Sequence, residues 1–219
     1  MHLATPATVG TPTAPAVSRF GRLLAVGGTA AVLVLGGSAA VAAPAARTTP
    51  AASLGTQSGP YAQLRTVAAL SADRLATADL VAAAKYGTGS PIDDPAREQQ
   101  VLDAVARQAV EAGGHPESTV RVFRDQIEAN KLVQRALHRR WDADPSSAPT
   151  ERPDLGKVRE EINRVNGALV RALAASTAAR TAPYCGGLLT AATAHVRHER
   201  GLDALHATAL RRALPSVCG

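Results

Sequence analysis

The residues of this chain that could do chemistry are cations and side-chain amides on apolar helical segments. Arg74 and Lys85 are eleven residues, or three helical turns, apart, so they project from nearly the same side of a helix. Asn130 and Gln134 are four apart and share one face of another helix. Three further charged residues fall in the first turns of later helices: Arg97, Glu98 and Arg159. Each alone is typical of a surface charge, but together they predict a pocket for a small dianion.

The motifs of the common catalytic mechanisms are missing. There is no GxSxG elbow, no P-loop, no GxGxxG and no HExxH. His195 and His198 are three residues apart and could share a helix face, but this spacing is more typical of surface histidines than of metal ligands. We therefore expect neither a metal site nor a cofactor.

The elements that must position these residues are helices. Alanine dominates the apolar residues and aromatics make up 3% of the chain, a mixture that favours helices. Apolar residues recur at helical spacing in four long segments, at about residues 61–86, 95–111, 116–141 and 155–173. Asp94 and Asp154 are predicted N-caps. Two shorter helices are predicted at about residues 184–199 and 201–213. No strand pattern appears, so we predict an all-α domain of about six helices over residues 61–219.

Residues 1–42 are predicted to be a cleaved signal peptide. They contain no acidic residue, and two arginines precede an apolar stretch that begins at Leu23. The small-x-small sequence AVA at residues 40–42 predicts cleavage after Ala42. The alternative is an uncleaved anchor, since the 21 residues from 23 to 43 could span a bilayer. Glycines within the stretch and its small-residue end favour cleavage.

Cleavage would leave a mildly basic, secreted or periplasmic protein with a flexible leader. Residues 43–60 are rich in Ala, Thr, Ser, Gly and Pro and show no apolar periodicity. Loss of residues 1–42 removes two of the 24 Lys and Arg and none of the 18 Asp and Glu, so the net charge falls from +6 to +4. No run of Lys and Arg is interleaved with aromatics, so we expect no nucleic-acid partner. We also expect no stable membrane anchor.

Two cysteines near the end of the chain, Cys185 and Cys218, predict a disulfide bond. In an exported protein an even pair of cysteines is typical of a disulfide. The alternative is a pair of free buried thiols. Because Cys218 offers Cys185 a partner, Cys185 is a poor candidate for a catalytic nucleophile.

The sequence resembles a known family, the AroQ-type chorismate mutases. The resemblance is specifically to their secreted subclass, which has a C-terminal extension held by a disulfide bond. The resemblance covers about residues 62–219 and is carried by residues 90–100 (SPIDDPAREQQ) and 120–127 (VRVFRDQI). Their order and spacing, with Lys85 twelve residues before Arg97, make it specific. It implies an isomerase of aromatic amino acid biosynthesis that rearranges chorismate to prephenate, expected as a homodimer with a complete pocket in each chain.

The resemblance also implies roles for the residues named above. Arg74 and Arg159 match arginines that bind the substrate carboxylates. Lys85 matches the lysine that contacts a carboxylate and the ether oxygen. Gln134 matches the second donor to that oxygen. Arg97, Glu98 and Asn130 match further substrate contacts, with Glu98 as the acceptor for the ring hydroxyl. Some secreted relatives place a glutamine three residues after the Glu98 position, where this chain has Val101, so the hydroxyl contact stays open.

The chemistry of the rearrangement fits these residue types. Chorismate is a dicarboxylate, and arginine forks suit carboxylates. The reaction is unimolecular and transfers no proton, so catalysis must come from holding the reactive conformer and from donors aimed at the ether oxygen, where negative charge develops. The catalytic set is therefore predicted to be Lys85, Gln134 and Arg97. The alternative is a non-enzymatic secreted helical module that binds a small anion or a protein partner on the same fold; an exported helical inhibitor is a third, weaker interpretation.

Overall fold

The computed structural model describes residues 58–219, which contain seven α-helices and no strand. The all-α prediction is confirmed. Four long helices come first, and three shorter ones follow them along the chain. They are α1 (Pro60–Lys85), α2 (Pro95–Glu111), α3 (Pro116–Ala143), α4 (Leu155–Ala175), α5 (Thr177–Thr181), α6 (Cys185–Glu199) and α7 (Ala204–Arg212), with 3₁₀ turns at Pro145–Ser147 and Pro215–Val217.

The predicted signal peptide over residues 1–42, and most of the predicted leader over 43–60, lie outside the described residues. Within residues 58–219, no helix combines the length and the apolar character needed to cross a membrane.

Local capping chemistry sets where the long helices begin and end. The Asp94 carboxylate accepts a hydrogen bond of 3.0 Å from the backbone N–H of Arg97, and Asp154 accepts from the backbone N–H groups of Gly156 and Lys157. Both predicted N-caps are confirmed. Gly113 (φ +69°) follows α2 in the left-handed region that only glycine adopts without strain. The first turn of α2, which carries two of the predicted site residues, is therefore fixed by local interactions.

Helix α1 is the centre of the bundle and packs against α3, α4 and α6. Its alanines let these neighbours approach closely, and Leu64, Val67 and Ala78 are fully buried. Polar residues on so central a helix must find partners. Ser71, for example, accepts a hydrogen bond of 2.8 Å from Gln126 of α3, whose side chain also donates to the backbone carbonyl of Ala213.

The C-terminal helices brace the two helices that carry most of the predicted site. Helix α6 packs on α1, α7 packs on α3, and a disulfide joins Cys185 at the start of α6 to Cys218. The predicted disulfide is confirmed. Helix α5, with its buried Arg180, was not predicted; the Arg180 guanidinium donates to the backbone carbonyls of Val217 and Leu173 and so links the C-terminal segment to α4.

Candidate active site

A single cavity between α1, α2, α3 and α4 collects the predicted site residues. All seven line it: Arg74, Lys85, Arg97, Glu98, Asn130, Gln134 and Arg159. The cavity encloses about 680 Å³ of space, part of it open to solvent. Its remaining walls are mostly apolar, with Val81 of α1 and Ile127 of α3 among them. The structure therefore brings together residues that are up to 85 positions apart in the chain.

Arg74 is the deepest cation of the site. Its side chain is buried, donates 2.9 Å to the Asn166 side-chain oxygen and 3.0 Å to the Gln126 backbone carbonyl, and stacks 5.7 Å from the centre of the Phe123 ring. Burial lowers its pKa to about 10, so it stays charged at neutral pH. These contacts fix Nε and Nη1, whereas Nη2 has no acceptor within residues 58–219, which leaves it free for a ligand.

Lys85 lies at the end of α1, half-buried, and its ammonium donates 2.8 Å to the backbone carbonyl of Pro91. Burial lowers its pKa, and the nearby Arg159 lowers it further, while Asp94 acts in the opposite direction. One hydrogen bond leaves two N–H groups of the ammonium available. Lys85 is therefore held in place by the loop before α2 and still able to bind an anion.

Arg97 and Arg159 flank the cavity from α2 and α4. Arg97 is partly buried and contacts Gln100 of its own helix at 3.2 Å, and Arg159 is exposed. Neither they nor Arg74 and Lys85 have a carboxylate within 4.0 Å among residues 58–219. The lining of the cavity contains five cations against two carboxylates, Asp94 and Glu98, so it keeps an excess of positive charge.

Two amides of α3 form a chain of hydrogen bonds along one wall. Asn130 donates 3.2 Å to the backbone carbonyl of Arg74, and its own side-chain oxygen accepts 3.2 Å from Gln134 Nε2. Because Asn130 must turn its NH₂ towards α1, its oxygen orients the Gln134 amide. Gln134 is 5% exposed, and its Oε1 is buried without a hydrogen-bond partner in the part of the chain that the structure describes. One N–H of Gln134 remains free to donate to a ligand.

One lining residue was not predicted from the sequence. Lys131 follows Asn130 on α3 and contacts both carboxylate oxygens of Glu98, at 3.1 and 3.2 Å. Position 131 is three residues before Gln134, so helical spacing alone places it near the same face. Its acidic partner, however, lies on α2, which no pattern in the sequence reveals.

This arrangement can bind a small dianion and place N–H donors around it. No serine, cysteine or histidine is among the residues that line the cavity. Nucleophilic catalysis through these groups is thus excluded, and binding with electrostatic stabilisation is what the lining can provide. The individual roles of the seven residues stay predictions.

Comparison with known proteins decides the family. Residues 65–135 match the family model described as chorismate mutase type II. The chain is 39% identical over 147 residues to the secreted chorismate mutase of Mycolicibacterium smegmatis, covering 67% of this chain and 81% of that protein. The chain belongs to the chorismate mutase type II family. The predicted family is confirmed.

Two further chorismate mutases agree with this assignment. The secreted chorismate mutase of Mycobacterium tuberculosis is 33% identical over 156 residues, covering 71% of this chain and 78% of that protein. The crystal structure of chorismate mutase from Burkholderia phymatum superposes with a TM-score of 0.69 at 35% identity, and the match covers 73% of this chain and 98% of that one. Thus the likeness to chorismate mutases extends from α1 and α2 into the C-terminal helices, beyond residues 65–135.

Proposed function

We propose that this protein is a chorismate mutase, which converts chorismate to prephenate without a cofactor. The observation that carries the proposal is the convergence of Arg74, Lys85, Arg97 and Arg159 on one cavity without a carboxylate partner within residues 58–219. A dicarboxylate supplies the charge that this cavity lacks. Family membership, and relatives that are themselves named chorismate mutases, support the same substrate.

In this proposal the protein folds the substrate into its reactive shape. Arg74 of α1 and Arg159 of α4 bind the two carboxylates, Arg74 through its free Nη2 and Arg159 through its guanidinium fork, and these contacts restrict the orientation of the substrate. Holding the reacting carbons close together supplies much of the rate enhancement, because the entropy of reaching that geometry is lost on binding rather than at the barrier.

The proposed chemical step breaks a C–O bond and forms a C–C bond in one concerted rearrangement. Negative charge develops on the ether oxygen, where Lys85 and the free N–H of Gln134 donate. These donors are already fixed, by the Pro91 carbonyl and by Asn130. Donors that need no reorganisation stabilise the transition state more than the ground state. Glu98 is the proposed acceptor for the ring hydroxyl.

The exported state and the assembly are also proposals. We propose that residues 1–42 are a signal peptide and that the protein is secreted or periplasmic, which is supported by relatives named as secreted. A homodimer is proposed from the family alone. Each chain supplies its own cavity, so activity should not depend on dimerisation. Sedimentation of the purified protein tests the assembly, and N-terminal sequencing of the exported form tests cleavage after Ala42.

The experiment for the main proposal is an assay with chorismate alone. When the purified protein is incubated with chorismate and no added metal, the ultraviolet absorbance of chorismate should fall and prephenate should form. The kinetics should be saturable, and the activity should be fully retained in EDTA. Binding of chorismate without turnover would favour the non-enzymatic binding module instead.

A further inference from the structure

Lys131 occupies the junction between the cavity and the loop that precedes α2. Its side chain is 10% exposed, and its Nζ lies 3.1 Å from Glu98, 3.2 Å from Asp93 and 2.5 Å from Glu128. Burial alone would lower the pKa of Lys131, but hydrogen bonds to Glu128, Glu98 and Asp93 together raise it. An ammonium has three N–H groups, and three carboxylates occupy them. Lys131 therefore has no donor left for a ligand and can act only through its partners.

Among those partners, Glu98 is the one that lines the cavity. A carboxylate beside a bound dianion is repulsive unless a cation compensates it. Lys131 supplies that cation at both Glu98 oxygens, and Arg135 binds Asp93, so two cations face the three carboxylates of this cluster. The two contacts also fix the plane of the carboxylate, while lone pairs on each oxygen remain able to accept a hydroxyl. The pair thus presents an oriented acceptor instead of a repelling charge.

We propose that Lys131 is a positioning residue that orients and neutralises Glu98, and that the pair determines the preference for a cyclic dicarboxylate carrying a ring hydroxyl. This inference rests on the proposed function. It adds Lys131 to the proposed site, as a residue that the sequence alone did not indicate and that acts on the substrate through Glu98.

A purely structural role for Lys131 is the competing explanation. The structure argues against it, because Arg135 also binds Asp93 and holds the loop before α2 independently of Lys131. The Asp94 cap keeps the start of α2 in place as well. Glu128 lies on the same helix as Lys131, so their contact does not link α3 to another helix. Of the three carboxylates, Glu98 is the one that loses its main restraint when Lys131 is replaced.

The test compares two substrates across four forms of the full chain. Wild type, Lys131→Met, Glu98→Leu and the double variant are assayed with chorismate and with an analogue that lacks the ring hydroxyl. Methionine keeps the length and volume of the lysine stem without its charge. We expect Lys131→Met to lower kcat/KM for chorismate by about 10- to 100-fold, the value of a charge-assisted hydrogen bond, mainly through KM. The analogue, which has no hydroxyl to bind, should lose less activity with the same variant, because only the uncompensated charge of Glu98 acts on it.

Two further comparisons separate positioning from loss of fold. In the Glu98→Leu background, Lys131→Met should have little additional effect on the substrate ratio, since the acceptor that Lys131 positions is already gone. Lys157→Met, an exposed lysine on α4, is the matched control and should leave both substrates unchanged. Should Lys131→Met fail to fold by circular dichroism, Lys131→Gln replaces it, and Glu98→Leu alone must still abolish the preference.

Two outcomes would overturn the inference. Equal losses for both substrates in Lys131→Met, which leave the substrate ratio unchanged, would show that Lys131 does not orient Glu98 towards the hydroxyl, and undiminished activity with both substrates would show that Lys131 plays no part in binding. A wild-type protein with no turnover of chorismate would instead refute the proposed function. The two failures are thus distinguishable in one experiment.

Discussion

Replacing Gln134 by glutamate should make the activity depend strongly on pH. In the proposed mechanism, an amide N–H of Gln134 donates to the ether oxygen, and an amide donates at any pH. A carboxyl at this position donates only when protonated. Gln134 is 5% exposed, and its nitrogen faces the Asn130 side-chain oxygen, so an ionised carboxylate there would be both buried and opposite another acceptor.

The magnitude follows from the loss of one donor in a preorganised site. Such a loss costs about 3–4 kcal/mol, or about 100- to 1000-fold in kcat. We expect wild-type kcat to be roughly flat from pH 5 to pH 7.5. The kcat of Gln134→Glu should approach the wild-type value at acid pH and should fall as the pH rises, by up to the factor given above. Steady-state kinetics with chorismate across this range measures both profiles.

The control variant is Gln134→Met, which can neither donate nor titrate. Its kcat should be low and independent of pH, which separates loss of the donor from introduction of a titrating group. A Gln134→Glu variant as active as the wild type at pH 7.5 would refute this reasoning. So would a steep loss of wild-type kcat between pH 5 and pH 7.5.

Three other predictions concern the ammonium donor, a charged histidine and the disulfide. Lys85→Ala should stay folded by circular dichroism and lose about 100- to 1000-fold in kcat, because the amine that it removes is the other proposed donor to the ether oxygen. The pKa of His206 is raised to about 9, mainly by its hydrogen bond to Asp79. The charged imidazolium therefore stabilises the folded state fully below the ordinary histidine pKa of about 6.5, and this stabilisation is lost as the pH rises through 9. Since Asp79 is partly exposed, charged His206 should contribute about 1–2 kcal/mol to the free energy of unfolding measured in urea. The substitution Asp79→Asn should reduce this contribution. Cys185→Ser with Cys218→Ser should lower the free energy of unfolding by about 3–4 kcal/mol, from the loop of 33 residues that the bond closes.

Each of these has a distinct contradictory result. Near-normal turnover by Lys85→Ala would remove the ammonium from the mechanism. Stability that does not change between pH 6.5 and pH 9 would remove His206 as a stabilising charge. Equal urea midpoints for the disulfide and serine forms would mean that the C-terminal helices are held by packing alone.

The features that could be predicted from the sequence are those fixed by neighbouring residues. Asp94 and Asp154 act on N–H groups two or three positions away, so their capping role is visible in the chain itself. The start of α7 shows the same rule in detail. The helix was predicted from residue 201, but Asp203 accepts from the backbone N–H of His206 and begins it at Ala204.

The features that escaped prediction depend on contacts between distant segments. Helix α5 has five residues, too few for a periodic signal, and forms around a buried Arg180 whose acceptors are 7 and 37 positions away. Likewise, spacing placed Arg74 and Lys85 on one side of α1, but only family resemblance indicated that Arg159 would face them. Lys131 was missed because Glu98 comes from another helix.

The central claim is that a cluster of unpaired cations recognises two carboxylates at once. Calorimetric titration with an unreactive cyclic dicarboxylate and with its monomethyl ester tests this most directly. We predict one site per chain and an affinity about 10- to 100-fold weaker for the ester, since one charge-assisted contact is lost. Equal affinities for the diacid and the monoester would contradict it.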